Sequence, residues 1–222
     1  MYQNHTVVGT QQSALATNKV LRNTYTLLSM TLLVSGMMAF FGMSMGLSHG
    51  AALVADIVAI AMLWFVLPRT ANSATGIPVI FAITGLLGLG LGPVISFYLN
   101  MPNGANVVMT ALGGTGVIFL GLSGYALTTR KDFSFMAGFL MVGMFVVIGA
   151  ALLNIFLEIP AMHLALNAVI VMIMSGFILF QTSQIIHGGE RNYIMATASI
   201  FLSLLNMFQA LLHLLGAFSK DD

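Results

Sequence analysis

From Thr24 onward the chain reads as long apolar runs separated by short polar or charged breaks. A helix needs about 20 largely apolar residues to cross a bilayer core at 1.5 Å rise each. Seven runs fit that length, at about 24–46, 51–67, 77–99, 106–128, 134–157, 161–185 and 193–216. The breaks carry turn or charge signals. They are Ser48-His49-Gly50, Pro68-Arg69-Thr70, Asn100-Met101-Pro102-Asn103-Gly104, Arg130-Lys131-Asp132, Glu158-Ile159-Pro160 and His187-Gly188-Gly189-Glu190-Arg191-Asn192. Barrel strands alternate apolar and polar residues over about ten positions, whereas these runs are apolar on every face. The pattern predicts an all-α, polytopic membrane protein with seven transmembrane helices, residues 23–217 forming the bundle.

Residues 1–22 break the pattern. They are polar, rich in Gln, Asn, Ser and Thr, and read as a flexible N-terminal tail. They do not read as a signal peptide, because Lys19 and Arg22 come late and the apolar stretch after them is a full span. Residues 218–222 form a short C-terminal tail. Orientation follows from Lys and Arg. Lys19, Arg22, Arg69, Arg130, Lys131 and Arg191 fall on one side of the alternation, and Lys220 alone on the other. The N-terminus is therefore expected in the cytoplasm and the C-terminus in the periplasm.

Composition narrows the function classes. Hydrophobic residues make up 59% and charged residues 6% of the chain, against about 25% charged in an average soluble protein. With mean hydropathy at +1.00, the lipid bilayer is the solvent that fits, and a soluble enzyme is excluded. A net charge of +1 leaves no basic patch for nucleic acid. There are no cysteines, hence no disulfides, thiolate metal sites or cysteine nucleophile.

Candidate chemistry is sparse. Gly121-Leu122-Ser123-Gly124 matches the GxSG of intramembrane serine proteases, and such a serine needs a His within hydrogen-bond reach. Ser123 lies about 8 Å from the inner end of its span, whereas His163 and His213 belong to the outer end, about 20 Å away. Only His187 is on the right side, in a loop, where His187-Gly188-Gly189 reads as a flexible turn with glycine free to take positive φ. The residues thus favour helix packing for Ser123 and give no catalytic group. No HExxH and no GxxxxGK[ST] occur, so no metal site and no cofactor is expected. The 17 methionines read as gap-fillers between helices.

Asp56, about 9 Å into the second span from the outer face, joins Glu158, His163 and His213 at outer depths as a possible titratable cluster. Its alternatives are a proton or cation site and interfacial snorkelling. Gly42 with Gly46, and Gly88 with Gly92, form two GxxxG pairs. Gly113, Gly114, Gly116, Gly121 and Gly124 make the fourth span smooth, either for tight packing or as a hinge or pore lining. Asn154, Asn167, Gln181, Gln184, Ser203 and Asn206 are expected to hydrogen-bond between helices.

The chain resembles the Bax-inhibitor-one/YccA family of seven-span membrane proteins, within it the bacterial YccA-like branch. The resemblance rests on Asn18-Lys19-Val20-Leu21-Arg22-Asn23-Thr24-Tyr25, on Thr84-Gly85 through Leu91-Gly92-Pro93, and on Leu127-Thr128-Thr129-Arg130-Lys131-Asp132-Phe133-Ser134. It continues in Asn154-Ile155-Phe156-Leu157 with Pro160-Ala161-Met162-His163-Leu164, and in Ile185-Ile186-His187-Gly188-Gly189-Glu190-Arg191-Asn192-Tyr193. It implies six helices around the last one and a bacterial inner-membrane address. It also implies a substrate and inhibitory modulator of the membrane AAA protease FtsH, associated with the HflK–HflC complex. The protease-engaging segment would be the start of the tail, Met1, Tyr2, Gln3, Asn4, His5, Thr6, Val7 and Val8, because an ATP-driven unfoldase needs an end to pull. Other relatives are pH-sensitive calcium leak channels with a pair of aspartates in spans six and seven, where two close carboxylates share a proton. The matching positions here are Gln181 and Ser203, which carry no charge and so argue against that sensor.

Overall fold

The structure, a computed structural model, describes residues 4–219, with side chains from Thr17 onward. Among the described residues it is helical without strands. Seven helices are long and apolar enough to span a membrane. They are α1 (Asn4–Ser44), α2 (His49–Thr70), α3 (Gly76–Leu99), α4 (Gly104–Thr129), α5 (Met136–Leu157), α6 (Pro160–Ile186) and α7 (Tyr193–Phe218).

The expected spans and breaks agree with these helices to within a few residues, except at the start. Helix α1 begins at Asn4, far ahead of the apolar run, and Val20 and Leu21 pack onto the core. The packed bundle therefore begins before residue 23. No proline interrupts residues 4–24, so nothing stops the helix from running back out of the membrane. Met1, Tyr2 and Gln3 of the expected protease-engaging segment lie outside the described residues, as do the side chains of Asn4 to Val8.

The helix ends follow local chemistry. Gly46 takes φ +62°, its N–H reaching Met43 O and that of Leu47 reaching Gly42 O, both at 3.0 Å. This left-handed stop satisfies two end carbonyls of α1. Gly46 thus terminates the helix and is not the second half of a packing motif. In α2, Met62–Val66 wind as a π-turn. Pro68 follows two residues later and has no N–H to give Trp64, which accounts for the loosened turn.

Helices α3 and α7 are the most buried and α5 the least. The largest interface joins α1 to α3, and glycine makes it close. A Cβ on Gly88 would stand 2.3 Å from Ser35 O, and one on Gly92 2.9 Å from the Gly42 carbonyl carbon. Gly42, Gly88 and Gly92 thus bring two backbones together. Helix α7 packs against α1, α3, α4 and α6, whereas α2 leans on α3 and α5 on α6. The expectation of six helices around the last one is corrected to four, with α2 and α5 as outer staves. Large apolar side chains such as Trp64, Phe139 and Phe156 face outward, as a lipid solvent requires.

The glycines of α4 depart from the packing expectation. A Cβ on Gly113, Gly116, Gly121 or Gly124 would meet nothing within 4 Å, and of the five glycines from Gly113 to Gly124 only Gly114 has a neighbour, Leu211 at 3.6 Å.

Candidate functional site

The three connections α2–α3, α4–α5 and α6–α7 lie on one face, which also carries the cations Arg69, Arg130, Lys131 and Arg191. Side chains staple this basic face together. The Asn192 carboxamide caps α7, accepting from Ile194 N at 2.9 Å and Met195 N at 3.1 Å. Its amide nitrogen donates to Ala71 O and to Asn72 Oδ1, at 3.0 and 2.8 Å. Ser183, fully buried near the end of α6, accepts from Phe133 N at 3.0 Å and donates to Lys131 O at 3.3 Å. Gln184 donates to Ser134 Oγ at 2.8 Å. His187, which caps α6, reaches Arg130 O through Nε2 at 3.1 Å. The turn at 187–189 is tied to the next connection, while Gly188 takes the expected positive φ, +74°. A cleft of about 650 Å³ opens on this face between Asn72, Ser73, Glu190 and Arg191.

Deeper in the bundle, Gln181 of α6 and Ser203 of α7 pair with each other. The Gln181 amide donates to Ser203 Oγ at 3.1 Å, and the hydroxyl faces Gln181 Oε1 at 3.2 Å. Both partners are neutral, and the pair links two packed helices without a proton to lose. Of the six polar residues expected to bridge helices, only these two join one span to another. Asn167 bonds to His163 one turn earlier, Asn206 to Leu202 O, Asn154 to the nearby Ile159 N, and Gln184 to a connecting loop. The reason is reach: a side-chain donor four residues along a helix finds a backbone carbonyl before it finds a neighbour.

The expected titratable cluster separates into parts. His163 and His213 come together, ring centroids 5.4 Å apart, and Tyr98 stands edge-on to His213 at 5.8 Å. Tyr98 is the member that sequence reading missed. A Cβ on Gly216 would stand 2.2 Å from its ring, so a glycine closing the last apolar run was its faint signal. Asp56 lies elsewhere. It shares the α3-facing stripe of α2 with the buried Ala52 and Ala59, and its carboxylate fills a notch that a Cβ on Gly90 would close, Oδ1 being 2.0 Å away. Gly90 and Tyr98 are eight residues apart on α3, about 12 Å along the axis. Glu158 is exposed and caps α5 in a left-handed turn at φ +50°.

Ser123 is buried, and its hydroxyl has no hydrogen-bond partner. Both ring nitrogens of His187, the histidine on that side, face Ser183 or Arg130 O, and His163 and His213 sit at the other end. Among the described side chains Ser123 has no histidine partner.

Comparison with known proteins matches a family model described as "Inhibitor of apoptosis-promoting Bax1" to residues 17–220. The chain is 50% identical to an uncharacterised membrane protein of Vibrio cholerae, over 95% of each chain. It is 50% identical, over 94% of each chain, to an Escherichia coli protein named "Modulator of FtsH protease YccA". A second Escherichia coli strain has a relative at the same identity and coverage, named "Inner membrane protein YccA".

Proposed function

Because the chain belongs to the family of the inhibitor of apoptosis-promoting Bax1, we propose that it is an inner-membrane substrate and modulator of the protease FtsH, engaged through its N-terminal segment. The observation that carries this reading is the near-full-length identity to the relative named for that modulation. Seven apolar helices suit the membrane address. The alternation of Lys and Arg orients the stapled basic face, and the N-terminus with it, towards the cytoplasm, where an ATP-driven motor works. The HflK–HflC complex is the neighbour that the family resemblance adds. The neutral Gln181–Ser203 pair weighs against the pH-sensitive calcium leak, whose two-carboxylate sensor has no counterpart at these positions.

The physical idea is occupancy. A substrate that offers an end but resists extraction holds the protease and slows its other work. The test is degradation by purified FtsH of the full chain and of a chain lacking residues 2–16, with a second substrate present. The full chain should be degraded slowly and should slow the second substrate. The truncated chain should do neither. Equal degradation of both forms would remove the N-terminal segment from the mechanism.

A further inference from the structure

We propose that His187 is a proton-controlled clamp, which holds the α4–α5 connection to the end of α6 when its imidazole carries both protons. The argument is a count of donors and acceptors. His187 Nε2 lies 3.1 Å from Arg130 O, and Nδ1 lies 2.9 Å from Ser183 O. A carbonyl oxygen only accepts, so each contact is a hydrogen bond only if that ring nitrogen bears a proton. Ser183 has a single hydroxyl proton and three neighbours. Its oxygen accepts from Phe133 N at 3.0 Å, and its proton goes either to Lys131 O at 3.3 Å or to His187 Nδ1 at 3.2 Å.

The imidazolium satisfies every one of these at once. Nε2–H donates to Arg130 O, Nδ1–H to Ser183 O, the Ser183 hydroxyl to Lys131 O, and Phe133 N–H to Ser183 Oγ. A neutral ring cannot. With the proton on Nε2, the Ser183 hydroxyl must turn to Nδ1. Lys131 O then loses its donor, and two lone pairs face each other across 2.9 Å. With the proton on Nδ1, Arg130 O loses its donor instead. Because His187 is exposed, it takes protons directly from solvent.

The charges around the ring come from both connections. Arg130 and Lys131 oppose the imidazolium, whereas Asp132 and Glu190 favour it, as does the negative end of the α6 dipole. Arg191 adds to the opposing charge, its Nε donating to Gly188 O, one residue along from the ring, at 3.2 Å. The clamp therefore closes as pH falls through the titration of His187 and loosens as pH rises through it. This inference does not depend on the protease reading.

Amide hydrogen exchange and ¹⁵N-histidine NMR on the full chain in nanodiscs test it together. The ring ¹⁵N shifts place the His187 titration and report which nitrogens are protonated. Protection of the Phe133 amide, corrected for the intrinsic pH effect, should fall about fivefold as that proton leaves, the scale of one net hydrogen bond. Ile194 and Met195, held by Asn192 on the same face, should not move with it. His187→Gln should flatten the Phe133 profile. Phe133 protection that ignores the His187 titration overturns the clamp, and so does a pH step that survives in His187→Gln. A ring with bare Nδ1 while Phe133 is fully protected overturns it in the wild-type chain alone.

Discussion

Asp132 accepts from Ser134 N at 2.8 Å. Side-chain and backbone hydrogen bonds from Ser134, with the nearby His187 contributing least, hold its carboxyl below the ordinary carboxylate range. A lowered carboxyl pKa adds stability that is present above the unfolded value and lost as pH falls through the lowered one. Asp132 and His187 thus act on the same connection with opposite sign, one loosening it in acid and the other tightening it. Asp132→Asn should remove the acid-side loss of Ser134 amide protection, read by hydrogen exchange below about pH 4. Glycine gives a second prediction at this scale. Gly88→Ala drives a Cβ to 2.3 Å from the Ser35 carbonyl, so a backbone must shift, at a cost of about 1–3 kcal/mol. Gly113→Ala meets open space and should be neutral or stabilising by up to about 1 kcal/mol. Thermal unfolding in detergent separates them. Sequence offered both glycines as packing candidates. Which one faces a neighbouring backbone depends on helix rotation, and runs apolar on every face do not encode it. Asp56 is set apart from His163 and His213 by depth instead: its notch at Gly90 lies eight residues before Tyr98, about 12 Å along α3, because α2 and α3 meet deeper in the bundle than the run boundaries suggest.

Helices were legible because lipid leaves the backbone no other partner than itself. Each of the seven spans is announced by an apolar run, and the breaks between them carry turn signals the structure uses, from Gly46 to Gly188. What composition concealed was the start of α1. Polarity in residues 4–22 marks where lipid ends, and says nothing of where the helix ends. Element joints were also hidden, since a single residue can serve two roles. Asn192 accepts from the first turn of α7 and donates to the α2–α3 connection. Asn192→Ala should cost about 1 kcal/mol for the cap alone, with a further loss for the tie. Asn192→Asp keeps the acceptor and removes the donors, so only the tie is lost. If the tie matters, amides of residues 71–76 should exchange faster in both variants. A change confined to Asn192→Ala would assign the whole effect to the cap.

Pulling the whole molecule from its N-terminus makes α1 the first helix to leave. That helix owns the largest interface in the bundle, with α3, and also packs on α7. Its glycine contacts are close enough that sliding α1 disturbs the α3 backbone directly. The main barrier to extraction therefore comes at the first step, whereas α5, which leans on α6, presents a smaller one and comes late. Slow processing follows from this order of contacts if the motor starts at the N-terminus. Loosening the first seam should then change the behaviour of the entire protein. Gly88→Ala should be degraded faster by FtsH and should inhibit a second substrate less. Leu140→Ala, a truncation in buried α5 contacts, should cost about 2–5 kcal/mol of stability with little effect on either rate. Rates that follow overall stability in both variants would mean that the bundle unfolds globally before extraction. Rates that follow Gly88→Ala alone would locate the resistance in the α1–α3 seam, and with it the direction of pull.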